Sequence, residues 1–220
     1  MIAAKNVTLQ YPDGTVALKN INLSVKPGEV IYITGPSGSG KTSLLKLLMA
    51  VEFPTAGTLE IMGRSYSRGQ AGPIRQLRRM LGPVFQDFKL IKGRTALENI
   101  MLGMRFLGIP AAEMKKNAAE ALAKVGLANK ANTPVENLSW GECQRISIAR
   151  ALARKPALIL ADEPTGNLDR ENALNILELL VGSKDEQTAV LITTHATHLI
   201  PENQNRIIRL KEGVLEEAGA

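Results

Sequence analysis

Residues 35–42 read Gly-Pro-Ser-Gly-Ser-Gly-Lys-Thr, a complete G-x-x-x-x-G-K-[ST] pattern, and they follow directly on the apolar β-type run Val30-Ile31-Tyr32-Ile33-Thr34. A strand, a glycine-rich turn and a helix start in that order commit this stretch to a βα unit built around an anion. The glycines let the backbone curl with its N–H groups pointing inward, and the helix opening at Lys41 turns its positive dipole end on the same point. The implied ligand is a nucleoside triphosphate, held by Gly35, Pro36, Ser37, Gly38, Ser39, Gly40, Lys41, Thr42 and Ser43. Lys41 is expected to reach the β- and γ-phosphates, and Thr42 a Mg²⁺ ion.

Around this unit, β-like apolar segments recur at 2–9, 16–25, 29–34, 58–62, 83–85, 157–161, 189–193 and 206–210. Helical spacing starts at Lys41 with Leu44, Leu45, Leu47 and Leu48, and helix-like stretches separate the later strands. The alternation predicts an α/β fold: a phosphate-loop NTPase core with a mostly parallel sheet, and an antiparallel β subdomain near the N-terminus. Residues 95–137 show no strand pattern, only helix-like stretches broken at Gly108-Ile109-Pro110, Gly126 and Pro134. They read as an inserted α-helical subdomain, with 1–94 and 138–220 forming the core of a single domain.

At 220 residues and 45% hydrophobic content the chain can bury one sizeable core. Its single cysteine, Cys143, excludes an internal disulfide, and two histidines without paired cysteines leave no zinc-site spacing. The longest candidate span, 97–109, is interrupted by Glu98, Asn99 and Arg105 and is too short to cross a bilayer. The first residues lack the apolar core of a secretory signal. These features together predict a cytoplasmic protein. The formal charge of +6 is spread along the chain, densest at Arg75-Gln76-Leu77-Arg78-Arg79, and reads as a solvated helix face rather than a nucleic-acid surface.

Two further motifs bear on chemistry. The apolar run Leu158-Ile159-Leu160-Ala161 ends in Asp162-Glu163-Pro164, which sets two carboxylates just past a buried strand, where ligands of α/β sheets sit. Asp162 is expected to hold Mg²⁺ through water or Thr42, and Glu163 to polarise a water aimed at the γ-phosphorus. Ser139-x-x-Glu142 is a capping box ahead of a helix running to about Arg154. With the Ser139 hydroxyl and the Gly141 N–H, that helix start is a candidate second anion site.

With these motifs in this order, the chain resembles the ABC-type ATPases along nearly its whole length. Leu138-Ser139-Trp140-Gly141-Glu142 stands where that family carries its Leu-Ser-Gly-Gly-Gln or Leu-Ser-Gly-Gly-Glu signature. The resemblance implies ATP as ligand, with Ser139, Trp140, Gly141 and Glu142 capping the γ-phosphate held by an opposite subunit. It also implies Tyr11 stacked on adenine, Gln86 at Mg²⁺ or the attacking water, and His195 on the γ-phosphate. Gly166 with Asn167, Leu168 and Asp169 is implied as the loop that crosses the subunit interface. Because the family's phosphate loop and signature do not meet within one subunit, a head-to-tail, ATP-dependent homodimer follows. His198 matches none of these motifs.

Within the family, Val84-Phe85-Gln86-Asp87-Phe88-Lys89-Leu90 and 160–169 are similar to the bacterial cell-division group. That likeness implies a separate integral membrane subunit of the FtsX type, a place on the inner face of the cell membrane, and no nucleic-acid partner. Phe88, Leu90 and Ile91 are then candidate anchors for the membrane subunit, or alternatively core residues. Residues 161–169 also occur in lipoprotein-releasing and macrolide-export ATPases, which keeps an exporter subunit open. Trp140, where the family has glycine, departs from the pattern. An indole beside Ser139 is expected to slow closure and hydrolysis, down to a nucleotide-responsive binding module, unless the ring points away. Cys143 reads as a small helix-face residue.

Overall fold

The computed structural model describes residues 1–166, 168–201 and 206–217. In chain order β1 (Ile2–Gln10), β2 (Val16–Val25) and β3 (Val30–Thr34) lead into α1 (Lys41–Leu48), followed by β4 (Ala56–Ile61), β5 (Arg64–Ser65), α2 (Ala71–Met80) and β6 (Leu81–Val84). Then come α3 (Ala96–Met104), α4 (Ala111–Lys124), α5 (Trp140–Leu152), β7 (Leu158–Asp162), α6 (Arg170–Val181), β8 (Ala189–Thr194), β9 (Arg206–Lys211) and β10 (Val214–Glu217).

The strands form two sheets. A four-stranded sheet has the order β2-β1-β4-β5, with every pairing antiparallel. A six-stranded sheet has the order β10-β9-β3-β8-β7-β6, parallel throughout except for β10 on β9. The two read differently in sequence because they are buried differently. In β2 the inward residues Leu18, Ile21, Leu23 and Val25 are separated by exposed polar ones, as suits a sheet with one wet face. All five residues of β3 and all six of β8 are buried, which explains their continuous apolar runs.

β3 divides its side chains between two cores. Ile31 and Ile33 join the antiparallel sheet and the α1 residues Leu44, Leu45, Leu47 and Leu48. Tyr32 faces the other way, into a cluster with Ile100, Leu122, Ile146 and Leu177. Each of those α1 leucines contributes about 1.5–3 kcal/mol through burial. That fixes the helix, and with it Lys41 and Thr42, against the strand that delivers the phosphate loop.

Between 95 and 137 the structure has α3, α4 and two short 3-10 turns, Ala128–Lys130 and Val135–Asn137, joined to the rest by packing of α3 and α4 on α5. Thr95 caps α3 by accepting the Glu98 N–H, while Glu98 accepts the Thr95 N–H at 2.8 Å. No helix among the described residues is long and apolar enough to cross a membrane.

The sequence reading did not foresee β5 and β10. Both are made by two-residue turns with positive φ at each central residue: Met62 and Gly63 at 53° and 73°, Glu212 and Gly213 at 50° and 80°. These turns match the right-handed twist of a hairpin and fold the chain straight back on itself. The glycine at the second turn position, just after an apolar strand, was the available signal. The strand expected at 83–85 runs instead from Leu81 to Val84, because its partner is the buried stretch starting at Leu158.

Candidate active site

The phosphate loop leaves β3 at its C-terminal end and turns into α1. Two of its glycines have no room for a side chain: a Cβ on Gly35 would come within 2.1 Å of the Leu210 carbonyl oxygen, and one on Gly40, at φ 108°, within 2.6 Å of that of Ala17. The loop is thus wedged between β9 and β2, and its shape belongs to the fold rather than to a ligand.

Lys41 lies under this loop, only 6% exposed. Its ammonium donates to the carbonyls of Gly35 at 2.8 Å and Pro36 at 2.9 Å and stands 3.2 Å from Glu163 Oε1. Glu163 Oε2 accepts the His195 N–H at 3.2 Å and lies 2.7 Å from His195 Nδ1. One carboxylate therefore joins the ends of β7 and β8 to the phosphate loop.

Glu163 holds that position at φ 45°, in the left-handed region, which costs a non-glycine residue about 1–2 kcal/mol. Its own N–H donates to both the carbonyl and the hydroxyl of Thr193, each at 3.1 Å. The Thr193 hydroxyl also reaches Asp162 Oδ1 at 2.8 Å, while Thr42 Oγ1 donates to Asp162 Oδ2 at 3.0 Å. Thr193, fully buried, is thus the common support of both carboxylates. The sequence reading missed it, because only the parallel register that sets Asp162 opposite Thr193 reveals the role.

A cleft of about 820 Å³ opens over these groups. Tyr11 stands at its rim with its hydroxyl 3.1 Å from Ser43 Oγ and Lys46 Nζ 6.0 Å from its ring centre. Pro36, Ser37 and Gly38 line it, as does Gln86. Gln86 makes no hydrogen bond to Thr42, Asp162 or Glu163. Ser39 is buried beneath the loop, its hydroxyl without a partner.

The second predicted group sits elsewhere. Ser139, Trp140, Gly141 and Glu142 do not line this cleft; they form the start of α5, with Ser139 accepting the Glu142 N–H and Glu142 accepting the Ser139 N–H at 2.8 Å. That second bond, aided by Lys130 at 3.4 Å, holds the Glu142 carboxyl below its ordinary range. Leu168 and Asn172 flank Gly141. Asp169 caps α6 by accepting the Asn172 N–H at 2.9 Å, which lowers its pKa. Asn167 lies outside the described residues. His198 is exposed on the short turn Thr197–Leu199.

The indole of Trp140 lies edge-on to Phe88, ring centres 4.5 Å apart and planes at 65°. Phe88 and Lys89 both adopt positive φ, 53° and 50°. Arg150 donates to both their carbonyls, at 2.6 Å for Lys89, and Ser147 to that of Phe88 at 3.5 Å. Burial pulls the Arg150 pKa down to about 10. Leu90 packs on the second core, whereas Ile91 is half-exposed. Cys143 is partly buried on α5, its thiol pushed up by burial.

A buried lysine under a glycine loop, a hydroxyl–carboxylate pair beside it, and a glutamate at the strand end make a site for triphosphate hydrolysis. Comparison with known proteins agrees. The family model for ABC transporters matches residues 18–166, more than half of the chain. The chain belongs to the ABC transporter ATPase family. This ABC ATPase is 38% identical over 216 residues to the cell division ATP-binding protein FtsE of Mycobacterium tuberculosis, covering 98% of the chain and 94% of that protein. It is 39% identical to FtsE of Escherichia coli, with 98% and 97% covered. Among solved structures it superposes on the ATP-binding cassette MJ0796, a dimer bound to ADP and Pi, with a TM-score of 0.88, 37% identity and both chains fully covered. The same TM-score, at 30% identity, relates it to cbiO1 of Clostridium perfringens, over 98% of this chain and 86% of that one.

Proposed function

We propose that this ABC ATPase is the ATP-hydrolysing subunit of a membrane complex of the cell-division type. The observation that carries the catalytic reading is the placement of Glu163 between Lys41 and His195 at the mouth of the phosphate-loop cleft. Lys41 and the loop N–H groups hold the phosphates in place. Glu163, fixed by Thr193, orients and deprotonates the attacking water, and His195 steadies the carboxylate and the γ-phosphate. Tyr11, its hydroxyl held by Ser43, offers its ring to the adenine.

The donors beside the loop fit Mg²⁺. Thr42 Oγ1 and Asp162 Oδ2 lie 3.0 Å apart, an oxygen-only pair with one carboxylate, as Mg²⁺ prefers when phosphates complete its shell. When bound there with the nucleotide, the ion neutralises charge on the β- and γ-phosphate oxygens. Gln86 lines the same cleft on the segment that leads into the helical subdomain, and we assign it to the metal or the attacking water.

The signature residues, remote from the chain's own cleft, can serve a nucleotide only across a two-fold axis. A head-to-tail homodimer with two composite sites follows, in line with the dimeric MJ0796 cassette. ATP holds the two copies together and its hydrolysis releases them. The relatives named cell division ATP-binding protein FtsE support the cell-division assignment; a peripheral position at the inner membrane face, an FtsX-type membrane partner and a role in activating cell-wall hydrolysis are the finer part of this proposal.

Glu163→Gln tests the reading. With ATP and Mg²⁺ the variant is expected to elute as a nucleotide-bound dimer and to hydrolyse at least about a hundredfold more slowly than the unaltered protein. A monomeric variant that still turns over rejects it. For the partner, co-purification from membranes with a subunit bearing a large extracytoplasmic loop is the expected result.

A further inference from the structure

Trp140 is the chain's only tryptophan. It is the first residue of α5, directly after Ser139, and 49% of it is exposed. The buried part of its ring meets Phe88, two residues beyond Gln86. Phe88 and Lys89 are already pinned by their carbonyls to Ser147 and Arg150, further along the same helix. The segment carrying Gln86 is therefore gripped twice by α5: through the backbone at mid-helix, and through one aromatic contact at the helix start.

We infer that Trp140 and Phe88 form an aromatic latch, which makes Trp140 a positioning residue that ties the set of Gln86 in its own cleft to the direction of the signature helix. The inference rests on the proposed reading of cleft and signature. The mid-helix bonds hold the carbonyls of Phe88 and Lys89, and a turn bond ties the Phe88 N–H to the Phe85 carbonyl at 3.2 Å, but none of them fixes the Phe88 ring. An edge-on ring pair has an orientational preference that a glycine at 140 cannot supply. When a partner's nucleotide engages Ser139, any tilt of the helix start is passed through the indole to Phe88 and on to Gln86. The indole thus serves as a strut between two functional segments rather than an obstacle in the subunit interface.

Two measurements test the latch; Trp140 is half-exposed, Phe88 is partly buried, and neither belongs to the two hydrophobic cores. In steady-state turnover, Trp140→Gly and Phe88→Leu are each expected to lower kcat about two- to tenfold with KM for ATP unchanged. The double variant should fall no further, and Trp140→Phe should retain most of the rate. Losses that multiply in the double variant overturn the latch. In the second measurement, Trp140 emission is followed as ATP is added to Glu163→Gln, with binding measured independently by equilibrium dialysis. The expected result is an emission shift that Glu163→Gln/Phe88→Leu loses although it binds ATP as tightly. Emission that stays unmoved while dialysis shows binding overturns the latch and leaves the reading of the cleft standing. Absence of ATP binding in dialysis overturns both.

Discussion

Lys41 Nζ lies 3.2 Å from Glu163 Oε1, so the cation of the phosphate loop and the carboxylate proposed to orient the attacking water share one contact. Phosphate oxygens in the loop compete for the same ammonium. Lys41→Ala removes the phosphate grip and leaves Glu163, 11% exposed, without its counter-ion. Truncating one partner of a desolvated charge pair across a binding interface, here the ammonium and the triphosphate, costs about 2–5 kcal/mol. ATP affinity measured by titration calorimetry is expected to fall at least about thirtyfold, and an affinity within threefold of the unaltered protein would place the phosphate elsewhere.

Thr193 carries both carboxylates, so its hydroxyl matters beyond its own burial. Thr193→Val keeps the shape of the side chain but removes the acceptor for the Glu163 N–H and the donor to Asp162. The Glu163 N–H retains the Thr193 carbonyl at 3.1 Å, so the fold should survive with a loss of about 1–3 kcal/mol. Turnover is expected to drop about tenfold or more, because the N–H of the left-handed glutamate loses one of its two acceptors. Thermal unfolding and kcat measured on the same preparation separate the two effects.

The metal reading gives a different signature. Asp162→Asn keeps a hydrogen-bond partner for Thr42 and Thr193 but removes the charge that favours a divalent cation. The variant is expected to need about tenfold more Mg²⁺ for half-maximal turnover, since a lost charge contact costs on the order of 1–2 kcal/mol. Chelation with EDTA should abolish hydrolysis by the unaltered protein. An unchanged Mg²⁺ titration for Asp162→Asn would remove Asp162 from the metal site.

Legibility in the sequence followed the range of each interaction. The turn from β3 into α1 is local: its glycines, lysine and threonine lie within one short run, so the phosphate loop could be read directly. The Asp162–Glu163 pair was likewise marked by the end of an apolar strand. Thr193 was not, because its role depends on β8 lying beside β7 in one register, a relation between segments about thirty residues apart. Trp140 was legible as a departure but not in direction; which way an indole turns at a helix start is decided by its neighbours, and Phe88 lies on another segment. Arg150 gave no signal at all, since in sequence it is one more basic residue on an amphipathic helix.

Tyr11 separates two contributions to nucleotide affinity. In the proposed reading its ring stacks on the base, while its hydroxyl meets Ser43 Oγ at 3.1 Å on the first turn of α1. Tyr11→Ala should weaken ATP and ADP equally, by about 1–3 kcal/mol, because the base is common to both. Tyr11→Phe retains the ring and loses only a part-buried hydroxyl bond, expected at about 0.5–1.5 kcal/mol. Competition with a fluorescent nucleotide measures all four affinities. A loss for Tyr11→Phe as large as that for Tyr11→Ala would assign the residue to holding α1 rather than the base.

The start of the signature helix depends on charge, and so on pH. The Glu142 carboxylate accepts the Ser139 N–H at 2.8 Å and faces Lys130 at 3.4 Å. Both favour the anion, with the backbone bond the larger influence, and they outweigh the opposing effect of partial burial. The folded pKa is therefore below the ordinary glutamate value of about 4.3. For a carboxyl lowered on folding, the unfolded chain binds the proton first. The stabilisation is complete above about pH 5, and it disappears as pH falls through the folded value. Glu142→Gln can still accept the Ser139 N–H but has no charge to titrate. The gap in melting temperature between the unaltered protein and Glu142→Gln is expected to be constant from about pH 7 to 5 and to close below about pH 4. Thr95 with Glu98 makes a similar cap on α3, and Asp169 caps α6; these groups titrate in both proteins and cancel from the difference. A gap that persists unchanged at pH 3 would show that Glu142 acts at the helix start through its shape alone.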